Sequence, residues 1–593
     1  MTQKRKYSLT GKVMTTLFFL GSFLFFGIFY RFHLFFTGQL QVFLLTFDHF
    51  LGYFSKPASL ASYTGDFLTQ FYYLKFGGAV IITASLILLW FTFRIVLKKI
   101  AGREVSFILP FIPVILSWIA LCDPEYPVSN IIALIISVAV TLIYISLRSL
   151  GARLAAGVLL TPFLYVIAGS SFYILPVAGI CYEISQKSRP WMFLNSTFLA
   201  AVAIFVPPDL RGIYLLKTGQ AFSYLSEMTK NPGIWQYLPI MAIIFIVMMV
   251  YILAKKPEGR SNSFALLTGQ ILLLIAALLS GVHLTADFTM EKILRLDFEA
   301  TRQRWDKVNE LADKYNMHNN ISAYYSNMAL AKLGRLPDEL MEHYQPIATG
   351  LFIPVNANEN YLTITMSNEV YWQLGDVNAS QHSALLGMIF SPRAANSRLM
   401  KRLVEINIVN GQYAVAEKYI GILEKTMFHR EWAAGMEKYL YNESECSKAD
   451  WITEKRAIIP SRDLLKKGNE YITTLRMLAD NNPDNRMAID YLLCYHLLSK
   501  DIHSFVADFE KYYKPGRTPL LPKVYQEGLL ISIVTGERRH EDFKNFRFTP
   551  EIVSRMAEYT RLYTGNNGKG TTLQKEFGKT YWFYYHFATM KSE

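Results

Sequence analysis

Phe76-Gly-Gly-Ala-Val-Ile-Ile-Thr-Ala-Ser-Leu-Ile-Leu-Leu-Trp-Phe-Thr-Phe-Arg-Ile-Val-Leu97 is followed at once by Lys98 and Lys99. As a helix such a run rises about 33 Å at 1.5 Å per residue. Its only charge is Arg94, so it is long and apolar enough to cross the roughly 30 Å hydrocarbon core of a bilayer. Working outward, comparable runs lie near 13–32, 105–121, 129–147, 153–169, 171–185, 191–207, 235–254 and 263–284, which predicts nine spans. Only Ser170 and Ser171 separate the fifth from the sixth. A tight helical hairpin fits there, and a single broken or re-entrant pair is the alternative. The first run follows Lys4, Arg5, Lys6 and Lys12 as a signal peptide would, but it is too long for one and more spans follow.

At 593 residues the chain exceeds one ordinary core. Charge is sparse before Thr285 and dense from Glu291 onward, so we expect a transmembrane domain over 1–290 and a water-soluble helical domain over 291–593. The net charge is +13, yet many of the Lys and Arg residues sit in short loops between apolar runs. That is a topology signal, and no nucleic-acid partner is expected. One set of loops holds Lys4 to Lys12, then Arg94, Lys98, Lys99 and Arg103, then Arg148 and Arg153, then Lys187 and Arg189, then Lys255, Lys256 and Arg260. The alternate loops hold few, mainly Arg31, Lys56, Lys75, Arg211, Lys217 and Lys230. The positive-inside rule then predicts a cytoplasmic N-terminus, and an odd number of spans puts the helical domain outside. Cys122, Cys181, Cys446 and Cys494 show neither a CxxC pair nor metal-ligand spacing with His. In an oxidising compartment Cys446 and Cys494 could pair, although Cys494, within the apolar run Tyr491 to Leu498, reads more simply as a buried helix residue.

Two external loops are long. Residues 36–75 read as two amphipathic segments, Gln39 to Tyr53 and Ser59 to Tyr73, joined at Lys56-Pro57, with Phe43, Phe47, Phe50, Tyr53 and Phe54 lying along the bilayer surface. Residues 207–236 open with Pro207-Pro208-Asp209-Leu210-Arg211, and the acidic turn Cys122 to Pro127 lies between the two. The polar chemistry of the membrane half therefore gathers on one face.

From Arg295 onward the pattern is an apolar helix, a tight turn at Gly or Asp, and a second helix. The turns fall at Gly334, Gly375, Gly411, Asp501 and Gly536, spaced 41, 36, 90 and 35 residues apart, so one turn is missed in the long gap. Helix-pair repeats use that period, because one pair cannot bury its apolar face alone. Asn410-Gly411-Gln-Tyr-Ala-Val-Ala416-Glu-Lys-Tyr419 resembles the turn and second helix of a tetratricopeptide repeat. The fold class is thus all-α, a polytopic transmembrane helical bundle followed by an external α-solenoid of tetratricopeptide-like helix pairs. The Gly and Ala residues of that solenoid read as structural in preference to forming a peptide site. The seven-ring run Tyr581 to Phe587 is too wide for one buried face, and packing on the solenoid is favoured over a membrane or partner contact.

The basic-led first span, Phe47-Asp48-His49-Phe50 through Asp66-Phe67-Leu68-Thr69-Gln70-Phe71, Asn327 to Arg335 and the aromatic ending together resemble a domain-of-unknown-function family of bacterial multi-pass proteins with a tetratricopeptide-like tail. That resemblance implies a bacterial cytoplasmic membrane, a periplasmic or extracytoplasmic C-terminal domain, and no particular activity. More remotely, the layout is similar to GT-C-type membrane glycosyltransferases, including oligosaccharyltransferases. In those enzymes a carboxylate of the first external loop acts as base or binds a divalent metal beside a polyprenyl-phosphate-linked sugar. The likeness implies Asp48 and then Asp66 as catalytic carboxylates, with His49, Asp209 and Arg211 binding substrate, Arg211 through the donor phosphate. Those enzymes commonly carry two adjacent acidic residues where this chain has Asp48-His49. Read singly, Asp48, Asp66 and Asp209 are solvated loop carboxylates or helix caps.

Two functions stay open: a lipid-linked sugar transferase, and a non-catalytic scaffold whose spans anchor a domain that recruits envelope proteins. A transporter would need central ionisable residues that the spans almost entirely lack. Walker loops, dinucleotide fingerprints, nucleophile elbows and HExxH helices are missing, so no soluble cofactor is expected. Asn442-Glu-Ser444 matches a glycosylation sequon as readily by chance as by function.

Overall fold

The computed structural model describes residues 3–103, 105–106, 108–185, 189–225, 234–254, 264–354, 361–460, 470–513, 520–565 and 570–589. Lys187, Lys230, Lys255, Lys256, Arg260 and Glu593, with the later part of the loop 207–236, lie outside the described residues. Among the described residues helix is the only regular structure. The chain forms two compact units: Met1–Glu291 with Ile422–Glu431, and Lys292–Gly421 with Trp432–Glu593.

The first unit contains α1 (Gln3–Leu24), α2 (Phe32–Gln39), α3 (Phe47–Gly52), α4 (Ser59–Thr69), α5 (Gly77–Ala101), α6 (Phe111–Ala120), α7 (Val128–Ser146), α8 (Leu150–Ala168), α9 (Ile174–Ser185), α10 (Arg189–Leu210), α11 (Thr218–Ser223), α12 (Ile234–Ala254) and α13 (Phe264–Thr285). Helix occupies all nine predicted runs, but among the described residues seven stretches reach membrane length by length and composition. Two differences account for the change from nine. The third run is the ten-residue α6, because Pro110 and Pro113 have no N–H to donate and their rings oppose continuation toward the N-terminus. The fifth and sixth runs form one apolar stretch, Leu150–Ser185.

That stretch is a hairpin. Arg153 Nε lies 2.6 Å from Glu183 Oε1, whereas thirty residues of straight helix would part them by about 45 Å. The reversal occurs in a short 3-10 segment, Gly169–Tyr173, entered through Gly169 at φ +57°. Gly157 and Gly179 face the same Leu199 and Tyr144, and a Cβ on either would come within about 3 Å of the Leu199 side chain. Small residues let membrane helices approach closely where no hydrophobic driving force pulls them together. Arg153 is satisfied throughout. Its second nitrogen reaches Glu183 Oε2 at 3.2 Å, Nη1 donates to the Leu147 and Arg148 carbonyls, and Tyr144 donates to Glu183 at 3.0 Å. Within this unit, segment 422–431 meets the first loop, with Leu45 N–H donating to Lys425 O at 2.8 Å and Phe428 lying 5.5 Å from both Phe71 and Tyr73.

The second unit follows α14 (Phe288–Ala300) with α15 (Trp305–Tyr315), α16 (Asn320–Lys332), α17 (Leu336–Glu339), α18 (Tyr361–Leu374), α19 (Val377–Phe390), α20 (Ser397–Val409), α21 (Tyr413–Leu423), α22 (Arg430–Glu437), α23 (Glu443–Lys448), α24 (Asp450–Ile458), α25 (Tyr471–Asn481), α26 (Arg486–Leu498), α27 (Ile502–Tyr512), α28 (Lys523–Val534), α29 (Pro550–Gly565), α30 (Gly570–Phe577) and α31 (Tyr581–Phe587). Helices α16, α18, α26 and α28 are buried on nearly every side, as expected of helices at the centre of a large core. Their partners α15 and α27 are shorter and turn one polar face outward.

Each anticipated turn is built the same way. Gly334, Gly375, Gly411 and Gly536 adopt φ between +71° and +87°, and at the remaining turn Lys500, directly before Asp501, adopts +59°. Arg335, Asp376, Gln412, Asp501 and Glu537 donate their N–H groups back to Leu330, Tyr371, Asn407, His496 and Ser532 at 2.8–3.0 Å. This is the Schellman closure, which satisfies the last carbonyls of one helix. Asp376 and Asp501 then cap the next helix, accepting from Ala379 and Ser504. The long gap between Gly411 and Asp501 holds α21 to α26.

The pairs also meet far along the chain, beyond the neighbour-only contacts of a simple solenoid. Lys523 N–H donates to Asp338 at 2.9 Å, the Lys523 and Lys579 ammonium groups each lie 3.0 Å from Glu342, and Phe352 stacks on Tyr471 at 4.2 Å. The aromatic ending packs inward. Tyr581, Trp582 and Tyr584 are buried, and the Tyr581 and Tyr584 hydroxyls donate to the Leu497 and Leu498 carbonyls at the end of α26. All four cysteines are free and buried.

Candidate functional site at the loop end of the membrane unit

The first loop folds back over the spans. Thr46 caps α3 through its side chain, accepting from His49 N–H, and Asp48 occupies the first turn, where the helix dipole favours an anion. Phe47, Leu51 and Phe54 are exposed on the same short segment, the pattern of a helix lying in a membrane interface. The chain then turns at Lys56-Pro57-Ala58, with Ala58 held left-handed at φ 61°. Non-glycine residues in that region cost of order 1–3 kcal/mol and cluster where structure serves function. Helix α4 settles on the start of α7 and the end of α8. A Cβ on Gly65 would lie 2.4 Å from that of Ser129, and Ser59 Oγ donates to Val166 O at 2.9 Å.

Between α3 and α4 runs a polar chain. Asp66 is 2% exposed, and its Oδ2 accepts a short 2.6 Å hydrogen bond from the Tyr53 hydroxyl. The same hydroxyl lies 3.5 Å from His49 Nε2, at the limit of hydrogen bonding. Gln41 donates to the Asp66 carbonyl at 2.9 Å. The bland account of this chain is a lock fastening one surface helix to the next. It nevertheless holds a histidine edge beside the exposed Asp48.

The second loop comes to the same place. Lys56 Nζ donates to the Tyr214 carbonyl at 3.2 Å, and the next residue, Leu215, is again left-handed at φ 54°. Burial pushes the Tyr214 phenol up. Ser170 N–H, in the hairpin turn, donates to Tyr224 O at 2.9 Å. Asp209 and Arg211 are exposed, and Arg211 donates to the Thr218 hydroxyl. Of the residues singled out from sequence, the fold joins Asp66 to His49 through Tyr53 and leaves Asp48, Asp209 and Arg211 separate. No hydrogen bond or ion pair links Asp48 to Arg211 among the described residues. Nor do three His, Cys, Asp or Glu side chains gather there into a metal-holding group. With the buried Asp66 oxygen already held by Tyr53, this donor set does not fit a divalent ion.

Residues 5–588 match the model of a family of unknown function, DUF6057. The chain belongs to the DUF6057 family. No curated protein and no solved structure matches it.

Sequence reasoning on this DUF6057 chain missed Tyr53, Lys56 and Tyr214. Tyr53 carried a signal, since it follows His49 by four residues on one helical face. The Lys56–Tyr214 contact joins residues far apart in sequence, and no local pattern announces it. In the second unit the charged groups are knitted together: Arg398 lies 2.8 Å from Asp297, and Arg402 lies 3.0 Å from Glu369 and 2.8 Å from Glu405. Lys455 donates to Trp372 O at 2.7 Å at the end of α18, and burial with the nearby Lys332 and Arg402 cations pushes its ammonium down to about 7. These contacts tie α20 to α14 and α18, and α24 to α18.

Proposed function

We propose that this DUF6057 protein is a GT-C-like transferase of the bacterial cytoplasmic membrane, taking sugar from a polyprenyl-phosphate-linked donor at the outer face. The observation that carries this reading is the first loop, folded over the spans with the His49–Tyr53–Asp66 chain behind an exposed Asp48. Asp48 takes the proton of an acceptor hydroxyl as its oxygen bonds to the sugar. The bond from sugar to donor phosphate breaks, and the polyprenyl phosphate leaves with the electron pair. His49 binds substrate, and Asp66 is a positioning residue acting through Tyr53. Lys56 and Arg211 supply the cations that a lipid phosphate needs, and Asp209 borders the acceptor. The N-terminus is cytoplasmic and the helical-repeat domain extracytoplasmic, where it presents the acceptor. In cells lacking the chromosomal copy, Asp48→Asn keeps the shape and removes the charge, so transfer of labelled sugar to envelope acceptors falls at least about a hundredfold at normal expression.

The separation of Asp48, Asp209 and Arg211, together with exposed Leu385 and Ile389 along α19, favours the second reading, a scaffold recruiting envelope proteins through tetratricopeptide-like repeats. Full complementation by Asp48→Asn, with loss on Leu385→Glu/Ile389→Glu, selects the scaffold over the transferase.

A further inference from the structure

Away from the loop end, α1, α6 and α13 enclose a crevice. It is lined by Met14, Phe18, Ile108, Phe111, Ile115 and a strip of α13 from Ile271 to Leu278, with no polar group in its wall. Its shape follows from where the helices touch. Gly281 brings α13 against Ile119, where a Cβ would lie 2.2 Å from the isoleucine side chain, and Thr285 Oγ1 donates to the Ile119 carbonyl at 3.1 Å. The crevice lies beside α13 on the side of that contact toward the start of the helix, from Leu278 back to Ile271. Ile108 enters the wall from the hydrogen-bonded turn that leads into α6, where Phe111 N–H donates to Ile108 O at 2.9 Å. Phe18, edge-on to Phe111 at 5.1 Å and to Trp118 at 5.2 Å, closes the back.

The crevice is therefore a wedge bounded toward the first loop by the Gly281–Ile119 contact. From Ile271 to Leu278 it runs about 10 Å along the helix at 1.5 Å per residue. Its other end carries Lys12, two residues before Met14, Lys98 in the last turn of α5 and Arg103 between α5 and α6, while Lys99 donates to Ser146 Oγ of α7 at 2.7 Å. Among membrane-spanning helices, a hydrocarbon-lined gap at bilayer depth offers water no hydrogen bond, so a lipid tail fills it. Cations around the mouth attract an anionic headgroup at roughly 1 kcal/mol each.

We propose that this crevice is a binding site for an anionic glycerophospholipid, which inserts one acyl chain between α1, α6 and α13 and sets its phosphate among Lys12, Lys98 and Arg103. It is distinct from the donor site of the transferase reading, because the wedge closes on the side where the first and second loops lie. The bound lipid joins α13 to α1 and α6.

The test reconstitutes the full chain in vesicles containing phosphatidylglycerol with a photoactivatable diazirine in one acyl chain, then maps adducts by peptide mass spectrometry. Adducts are expected on 271–278 and 108–115 in the unaltered protein. Leu274→Trp, which fills the wedge, lowers them roughly tenfold, the loss expected when about two buried methylene groups are displaced. Leu272→Trp, on the exposed face at the same depth, leaves them unchanged. A phosphatidylcholine probe labels these peptides several-fold less, and Lys12→Glu/Arg103→Glu removes that preference. Equal labelling of the two tryptophan variants overturns the site, as does wild-type labelling spread evenly over all spans. Equal labelling by the two lipids overturns the anionic headgroup. A polyprenyl phosphate as the lipid retained on purification overturns the glycerophospholipid assignment, while leaving the transferase reading intact.

Discussion

Three glycines of the membrane unit lie where two helices come closest: a Cβ on Gly65 would strike Ser129, and one on Gly157 or Gly179 would press on Leu199. In the second unit Gly334, Gly411 and Gly536 face open space, and their left-handed φ is what the chain requires of them. Absence of a side chain thus serves lateral approach at the first three and chain reversal at the second three, although each unit also holds the other kind, Gly169 reversing the membrane hairpin and Gly387 and Gly528 packing closely in the second unit. Within a bilayer, burial of apolar surface does not drive helices together, so order comes from close packing and from the few polar groups placed between helices. In water, burial drives assembly, and the sequence has only to state where each helix stops.

Three measurements sharpen or break this contrast, the largest effect first. Arg153→Ala leaves the buried Glu183 carboxylate with only the Tyr144 hydroxyl. A broken buried pair costs about 3–5 kcal/mol, whereas replacing both members with apolar residues is far milder. The single variant should therefore melt well below wild type in detergent, and Arg153→Leu/Glu183→Leu should recover most of the loss. Equal melting of single and double variants would mean that polar contacts do not order the hairpin.

Next in size is a pH effect confined to the second unit. Glu527 is buried, accepts the Tyr581 N–H at 2.6 Å, and is pushed up to about 7, chiefly by burial. Between the usual glutamate value and about 7 the folded state holds a proton that the unfolded state releases. Glu527 therefore supports the fold fully below about pH 4.5, and this support is lost as pH rises through 7. The expected span is of order 1–3 kcal/mol. Asp490, pushed up to about 6 by burial, acts in the same direction at lower pH. Glu527→Gln should flatten the fall in stability between pH 5 and 7.5, measured by chemical denaturation of the full chain. An unchanged slope would remove Glu527 as its source.

The smallest effect belongs to the turns. Gly334→Ala meets no atom but must hold φ near +71°, which costs about 1 kcal/mol. Gly375→Ala carries the same strain plus a Cβ 2.9 Å from the Ile458 carbonyl, so it should cost more. If both are neutral in thermal melts, the turns are not specified by glycine.

Much of the second unit was legible. A glycine after an apolar run, or an aspartate poised to start the next helix, is a local signal, and all five turn positions carry Schellman closures. In the membrane unit the apolar runs were equally legible, because hydropathy needs no knowledge of neighbours. The prolines that shorten α6 were in plain view but were outweighed by the hydrophobicity of residues 105–121. The candidate site was half legible: Asp66 and His49 stood out by residue type, while the tyrosine joining them did not.

By itself the sequence determined which residues are helical, which helices can enter a bilayer and where the chain reverses, since hydropathy, proline geometry and left-handed backbone act over a few residues. Only the tertiary structure decided that Arg153 meets Glu183, that Tyr53 links Asp66 to His49, that Lys56 reaches Tyr214, and that Lys523 and Lys579 share Glu342. Each of these pairings depends on distances between side chains set by packing. A polar group at one place in the chain cannot specify which partner the fold will bring within about 3 Å.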